Sequence, residues 1–320
     1  MSFDDSVPTR VDNSTLVRAV LVFLGFAVVF ALLNTGSGTM ARLIAPAADP
    51  GWSARIAAAL VLAALVTANV VGLKFLAFNV QVILVWIQLI VLALVFFASF
   101  NLSYGFILNR LPFLITQGAF TTIYISLVAI AISCVIALIG ALAKLSGNGV
   151  AYGIATFYIS FFRGTPLLLQ VYLIYLGLPQ LGFIIDAVPA GIIALSLCYG
   201  AYMAEIFRSG IQAVPKGQAE AGRALGLHGG LIMRKIVLPQ AIKIIVPPTG
   251  NQFIAMLKDS SLVSVMGVWE LMFLARTQGK SEFKHMEMLI TAAVVYWIIS
   301  MAFEAIQSRI ERHYGKADVR

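Results

Sequence analysis

Charge is what this sequence has least of. Asp, Glu, Lys and Arg make up 11% of its 320 residues, against 60% hydrophobic, and a soluble globule of that size would lack the polar surface to cover itself. The chain belongs in a bilayer. Its apolar runs approach or exceed the roughly 20 residues that a helix needs to cross the hydrocarbon core. Few of them show the polar alternation of a membrane barrel, so the fold class is all-α and polytopic. Cysteine is nearly missing: Cys134 and Cys198 lie in apolar segments, without CxxC or metal-type spacing, and read as small core residues. His228, His285 and His313 never pair at i, i+4, and no Ser-His-Asp, paired-carboxylate or zinc constellation rises above chance, which argues against an enzyme. A GxxxxGK[ST] phosphate loop is also lacking. The net charge of +8 is scattered between apolar runs rather than gathered on a polar domain, so it speaks for membrane orientation and against nucleic acid.

What is present is a series of about eight apolar spans, near residues 16–34, 55–73, 80–100, 118–143, 165–179, 189–208, 244–266 and 287–308. The second and third are separated by a tight hairpin, 72–79, whose Lys74 snorkels to an interface. The fifth is short and extends through an amphipathic approach, 151–163, along the membrane surface. The first reads as a retained helix rather than a signal peptide, because the small residues Ala45, Pro46 and Ala47 lie too far beyond it and Asp4, Asp5 and Asp12 precede it. With a cytoplasmic N-terminus, the inner segments carry 15 of the 22 Lys and Arg and the outer ones six. Both termini are therefore expected in the cytoplasm. A composition shift at 101–117, containing Pro112, divides the chain into three accessory N-terminal helices, 1–112, and a five-helix core, 113–320, with a cytoplasmic loop at 209–240.

That loop contains EAGRALGLHGGLIMRKIVLPQA, residues 220–241. Residues 217–225 suit a short helix carrying Ala219, Ala221 and Ala224, and Gly226 is placed to end it in the left-handed conformation. A turn at 227–230 precedes a second helix, 231–238, and Pro239 opens the next one. Such a unit is either a docking knob for another protein or an ordinary amphipathic linker, and physics alone leaves both open. In the seventh span Asn251, Gln252, Lys258 and Asp259 are costly in lipid, so they either face a water-filled cavity or glue helices together. Pro247 and Pro248 before them are expected to break the helix and free carbonyls to line a site. Lys258 and Asp259 are adjacent and point in different directions; a zwitterionic substrate calls for both kinds of group. Arg163–Gly164–Thr165–Pro166 marks a helix entry with Thr165 as cap, or else a hinge against a partner. Glu205 and Arg208 are spaced for a local ion pair.

The positions Glu220, Ala221, Gly222, then Gly226, then Ile236, Leu238 and Pro239 resemble the EAA loop of ABC-importer permeases: Glu-Ala-Ala, three residues, Gly, nine residues, Ile, one residue, Leu-Pro. Gly222 is the one departure, small for small. FFRGTPLLLQVYLIYLGLP at 161–179, YGAYMAEIFRSGIQAVPKGQAEA at 199–221 and NQFIAMLKDSSLVSV at 251–265 resemble the polar amino-acid branch, the histidine/glutamine-type permeases of the type I importer fold. The likeness covers about 113–312; the three preceding helices match nothing specific. The resemblance implies a multi-pass permease of the bacterial inner membrane, surrounded by lipid, that needs no cofactor of its own. ATP and Mg would sit on a partner ABC ATPase that grips the loop. A second permease subunit, self or sibling, and a periplasmic amino-acid-binding protein would complete the assembly. An ion-gradient-driven secondary transporter, which calls for paired broken helices in two halves, and a non-transporting scaffold remain as other classes.

Overall fold

A computed structural model describes Val20, residues 23–25, 52–98, Phe100 and 102–315. The expected first span, 16–34, lies outside the described residues apart from Val20 and residues 23–25, which are helical. The aspartates at 4, 5 and 12 and the small residues at 45–47 also lie outside them. All regular structure among the described residues is helical.

The chain divides into two compact units, Met1–Asn101 and Leu102–Arg320. The first contains α1, Trp52–Leu73, and α2, Phe78–Ala98. Both are apolar on every side, with mean hydropathy of 2.4 and 2.7 over their spanning stretches, as befits helices that meet lipid. The turn between them is short, and Gln81 Nε2 donates to the Leu76 carbonyl at 2.7 Å, pairing a group that the end of α1 leaves open.

In the second unit α3 runs continuously over Tyr104–Leu145, through Pro112. The helix survives the proline because the turn Leu114–Ala119 widens to a π-helix, a usual way to relieve a crowded helical ladder. Next come α4, Gly149–Gly164, and α5, Leu167–Gln180, which meet at a 108° bend, then α6, Ala187–Gln212, and α7, Lys216–Ala224. A one-turn helix α8, Gly229–Ile232, passes through a π turn, Met233–Val237, into α9, Leu238–Asp259. A 3-10 segment, Ser260–Met266, leads to α10, Leu271–Ser281, and α11, His285–Gly315. Among the described residues five helices are long and apolar enough to cross a membrane, α1, α2, α3, α6 and α11, or six if the bent α4–α5 pair is one span. The expected fifth span, 165–179, is thus half of a bent pair. The expected seventh, 244–266, falls on α9, whose Asn251, Gln252, Lys258 and Asp259 interrupt its apolar surface.

The core of this unit is the α3–α6 contact, built from small residues that let backbones approach. A Cβ at Gly140 would stand 3.1 Å from that of Ala204. Ser133 Oγ lies 2.8 Å from the Ala129 carbonyl and 3.2 Å from the Ser196 carbonyl, so this buried hydroxyl is paired with backbone. Tyr158 OH donates to the Leu197 carbonyl at 2.6 Å and ties α4 to α6. Prolines 247 and 248 do not break α9, contrary to expectation. α11 braces that stretch: Gln307 Nε2 donates to the Pro247 carbonyl at 3.0 Å. Gly250 leaves the space that the Gln307 carboxamide fills.

α6 crosses α9 at Gly210, where a Cβ would overlap the Ile245 side chain. Gly210→Ala is expected to cost about 1–3 kcal/mol of overpacking. Thermal unfolding of the purified protein in detergent checks it: the midpoint falls, and an unchanged midpoint counts against so close a crossing.

Candidate functional site

Two places concentrate polar and special-purpose residues in the second unit. The first is the knob between α6 and α9. Helix α7 ends at Gly226, whose φ is +74°, in the conformation that glycine adopts without penalty. The Leu227 N–H donates to the Gly222 carbonyl at 3.1 Å and the Gly226 N–H to the Arg223 carbonyl at 2.9 Å, the paired bonds of a Schellman ending. His228 Nδ1 then accepts from the Leu231 N–H at 3.3 Å and caps α8. The seven motif residues divide by task. Gly226 makes the turn. Glu220, Ala221 and Pro239 are exposed, while Ile236 and Leu238 are half-buried. Gly222 is buried, and a Cβ there would stand 3.0 Å from both Ile232 Cγ1 and Ile236 Cδ1. The small-for-small departure from alanine thus sits in close contact with two isoleucines, which would have to shift for a methyl group.

Beneath the knob, Ile211, Val214, Ile232, Val237, Ala241 and Ile245 form one buried cluster. It fuses the knob to the adjoining ends of α6 and α9, so displacement of one moves the others. The expected Glu205–Arg208 pair is present at 2.8 Å, and Lys144 of α3 joins it at 2.6 Å.

The second place is a cavity of about 440 Å3. Its walls are the α4–α5 bend, α6 and α9. Thr165 is extended, φ −109° and ψ 145°, as a residue before proline must be. It closes α4 rather than capping α5, the reverse of the expected role: its Oγ1 donates back to the Phe161 carbonyl at 2.9 Å. The buried Gln170 holds the bend, its Nε2 lying 2.8 Å from the Phe162 carbonyl and 3.0 Å from the Thr165 carbonyl. These are acceptors that a helix end otherwise leaves unpaired. The bend carries Arg163 into the wall, 5.4 Å over the Tyr202 ring, a cation–π distance. Across the cavity Tyr199 OH donates to Asp259 Oδ2 at 2.7 Å.

Of the four residues singled out in α9, Gln252 and Asp259 line this cavity and Asn251 and Lys258 do not. Lys258 and Asp259 diverge, as neighbours on a helix must. Arg163, expected only as a helix entry or hinge, lines the cavity too, as do Tyr199 and Tyr202, which no local signal singled out; an arginine set into an apolar run is itself a signal of a polar environment. The wall thus offers a cation, an anion and neutral donors in a space fit for a small zwitterion.

Beyond α9, Glu270 is buried, accepts from the Phe273 and Met272 N–H groups at 2.6 and 2.8 Å, and so caps α10. Tyr296 OH donates to it at 2.6 Å. Burial pushes its carboxyl up to about 7, although the bonds from Tyr296 and the two N–H groups, and the charge of Arg276, pull the other way. A carboxyl raised on folding binds its proton more tightly in the folded state, so stability is expected to fall as pH rises from about 4.5 through about 7. Unfolding midpoints across that window check it, with Glu270→Gln expected to flatten the slope.

A family model described as binding-protein-dependent transport system inner membrane component matches residues 136–316. The arginine transport system permease protein ArtQ of Bacillus subtilis is 39% identical over 219 residues, 68% of this chain and 100% of that protein. The L-cystine transport system permease protein TcyB of the same organism is 36% identical over 204 residues, 63% of this chain and 87% of that protein. A crystal structure of an amino acid ABC transporter with histidines superimposes with a TM-score of 0.63 at 38% identity, covering 67% of this chain and 100% of that chain. The inward-facing MetNI methionine ABC transporter, at 22% identity and a TM-score of 0.56, shares the fold. The chain belongs to the family of binding-protein-dependent transport system inner membrane components, as a membrane-embedded permease subunit of an ATP-binding cassette importer.

Proposed function

We propose that this permease moves polar amino acids through the cavity between the α4–α5 bend, α6 and α9, driven by a separate ATPase that grips the knob. The observation that carries the substrate class is the placing of Arg163 and Asp259 around one cavity. An α-carboxylate pairs with the guanidinium and an α-ammonium with the carboxylate, each a charge-assisted bond. Gln252, Tyr199 and Tyr202 are left for a polar side chain. Relatives named for arginine and cystine transport fit that chemistry.

Coupling follows from packing. Glu220, Ala221 and the exposed Leu225 present the knob to the ATPase, with Gly222, Gly226, Ile236, Leu238 and Pro239 fixing its shape. Two ATPase subunits closing on ATP and Mg draw together the knobs of two permeases, this chain twice or with a sibling. The shared cluster beneath the knob passes the motion to α6 and α9. Tyr199 and Asp259 bridge those two helices, so their bond is the one such a motion strains. Both termini lie in the cytoplasm with the knob, residues 1–112 are accessory to the core at 113–320, and a periplasmic binding protein delivers the amino acid to the opposite face. Reconstituting permease, ATPase and binding protein in vesicles and measuring ATP hydrolysis against a panel of amino acids tests this. Stimulation by polar amino acids is expected; stimulation by none of them, or by sugars instead, sinks it.

A further inference from the structure

We infer that the route has a second polar stop, a basic vestibule on α10 that takes the carboxylate of the arriving amino acid before it reaches the inner cavity. The inference rests on the amino-acid reading above.

The vestibule is a concavity of about 610 Å3, within the size range of small-ligand sites. Arg276 and Lys280 enter it from α10, one turn apart at i, i+4 and both exposed, and His285 enters from the start of α11. Thr277, Ser264 and Tyr172 add hydroxyls. Among the described residues no carboxylate lines it. The nearby acids are engaged elsewhere: Glu282 pairs with Arg110 at 3.0 Å, Glu270 is buried under the first turn of α10, and Glu287 is buried and accepts from the Ser103 N–H at 3.3 Å. Lys284 turns away over the Phe106 ring at 4.8 Å. A pair of cations on a concave wall, with the Glu270 carboxyl near Arg276 buried and already bonded, is a receiver for an anion.

The neighbouring inner cavity points to what that anion is. The two cavities share two elements. α5 lines the inner one at Leu167 and the vestibule at Tyr172; the chain leaving α9 lines the inner one at Asp259 and the vestibule at Ser264. On each, the step is five residues, about 7.5 Å along the α-helix and about 10 Å along the 3-10 segment. The two cavities are thus neighbours along both elements, the inner one lined by Arg163 and Asp259. The vestibule is all positive and the inner cavity carries both signs, so a zwitterion is caught first by its carboxylate and then held at both ends.

The test uses the reconstituted permease–ATPase complex, with binding protein loaded with the amino acid that the wild type imports fastest. In the Arg276→Gln/Lys280→Gln variant, uptake is expected to fall about tenfold, the scale of one lost charge-assisted hydrogen bond. The binding-protein concentration giving half-maximal ATP hydrolysis stays unchanged. Arg276→Lys/Lys280→Arg, which keeps both charges, restores uptake. Both side chains are exposed, so the fold is not at stake. Uptake equal to wild type overturns the inference. So does a half-maximal binding-protein concentration that rises as uptake falls, which would make the surface a seat for the acidic rim of the binding protein. If the wild type itself imports no amino acid, the functional reading fails, and this inference with it.

Discussion

Replacing Gly226 with valine is expected to abolish coupled uptake while leaving the membrane helices folded. The residue sits at φ +74°, and a β-branched side chain there costs about 1–3 kcal/mol of backbone strain, enough to depopulate the turn roughly ten- to a hundredfold. The loss is local because Gly226 is exposed and a Cβ there meets open space; only the dihedral forbids it. What goes wrong is the paired ending of α7, the bonds from Leu227 to Gly222 and from Gly226 to Arg223. Without them α7 swings relative to α8, and Glu220 and Ala221 no longer stand where the ATPase closes. Gly226→Asn is the control: asparagine tolerates the left-handed region better than other residues with a side chain, so uptake is largely kept. Measured on vesicles, near-normal uptake by the valine variant would mean that the turn has no part in coupling.

The second large effect is at Asp259. Asp259→Asn keeps an oxygen to accept from Tyr199 OH, so the 2.7 Å bond between α6 and α9 survives and the fold with it. The charge for the substrate ammonium does not. A charge-assisted bond carries about 1.5–3 kcal/mol, and uptake is expected to fall roughly ten- to a hundredfold. Arg163→Gln, in the same cavity, gives a loss of the same order. Lys258→Gln changes uptake little, because Lys258 does not line the cavity. Initial uptake rates of the three variants, beside thermal midpoints that remain level, separate a lost ligand from a lost fold. A Lys258 variant as impaired as the Asp259 one would move the site.

Much of this was legible in the sequence, for physical reasons that also mark where legibility stops. Helices α1 and α2 announce themselves, because an apolar run long enough to span has few other folds available. The knob was readable because glycine at a left-handed position is a local requirement and the motif spacing is fixed. The extension of α3 was not. Pro112 argues for a boundary on local grounds, and only the neighbours packed on α3, with the π turn that accommodates the proline, keep the helix whole. Pro247 and Pro248 misled for the same reason, since the brace from Gln307 comes from 60 residues away. Of the cavity wall, Gln252 and Asp259 were legible as costly polar groups in an apolar run. Arg163 needs the 108° bend: Thr165–Pro166 signals a break, but no local rule fixes its angle, and without the angle Arg163 reads as a helix terminus. Gly222 is subtler still, since the room for a methyl group there is set by two isoleucines ten and fourteen residues further on.

The central claim is that motion entering at the knob moves an amino acid held at Arg163 and Asp259. The most direct test is to follow uptake and ATP hydrolysis together, in the same vesicles, for the wild type, Gly226→Val and Asp259→Asn. In the Gly226 variant both substrate-stimulated hydrolysis and uptake should collapse. In the Asp259 variant basal hydrolysis should persist while uptake is lost, because the engine still grips a permease that no longer holds its cargo. Uptake that persists in either variant, or a Gly226 variant that still raises its hydrolysis on meeting substrate, would contradict the account.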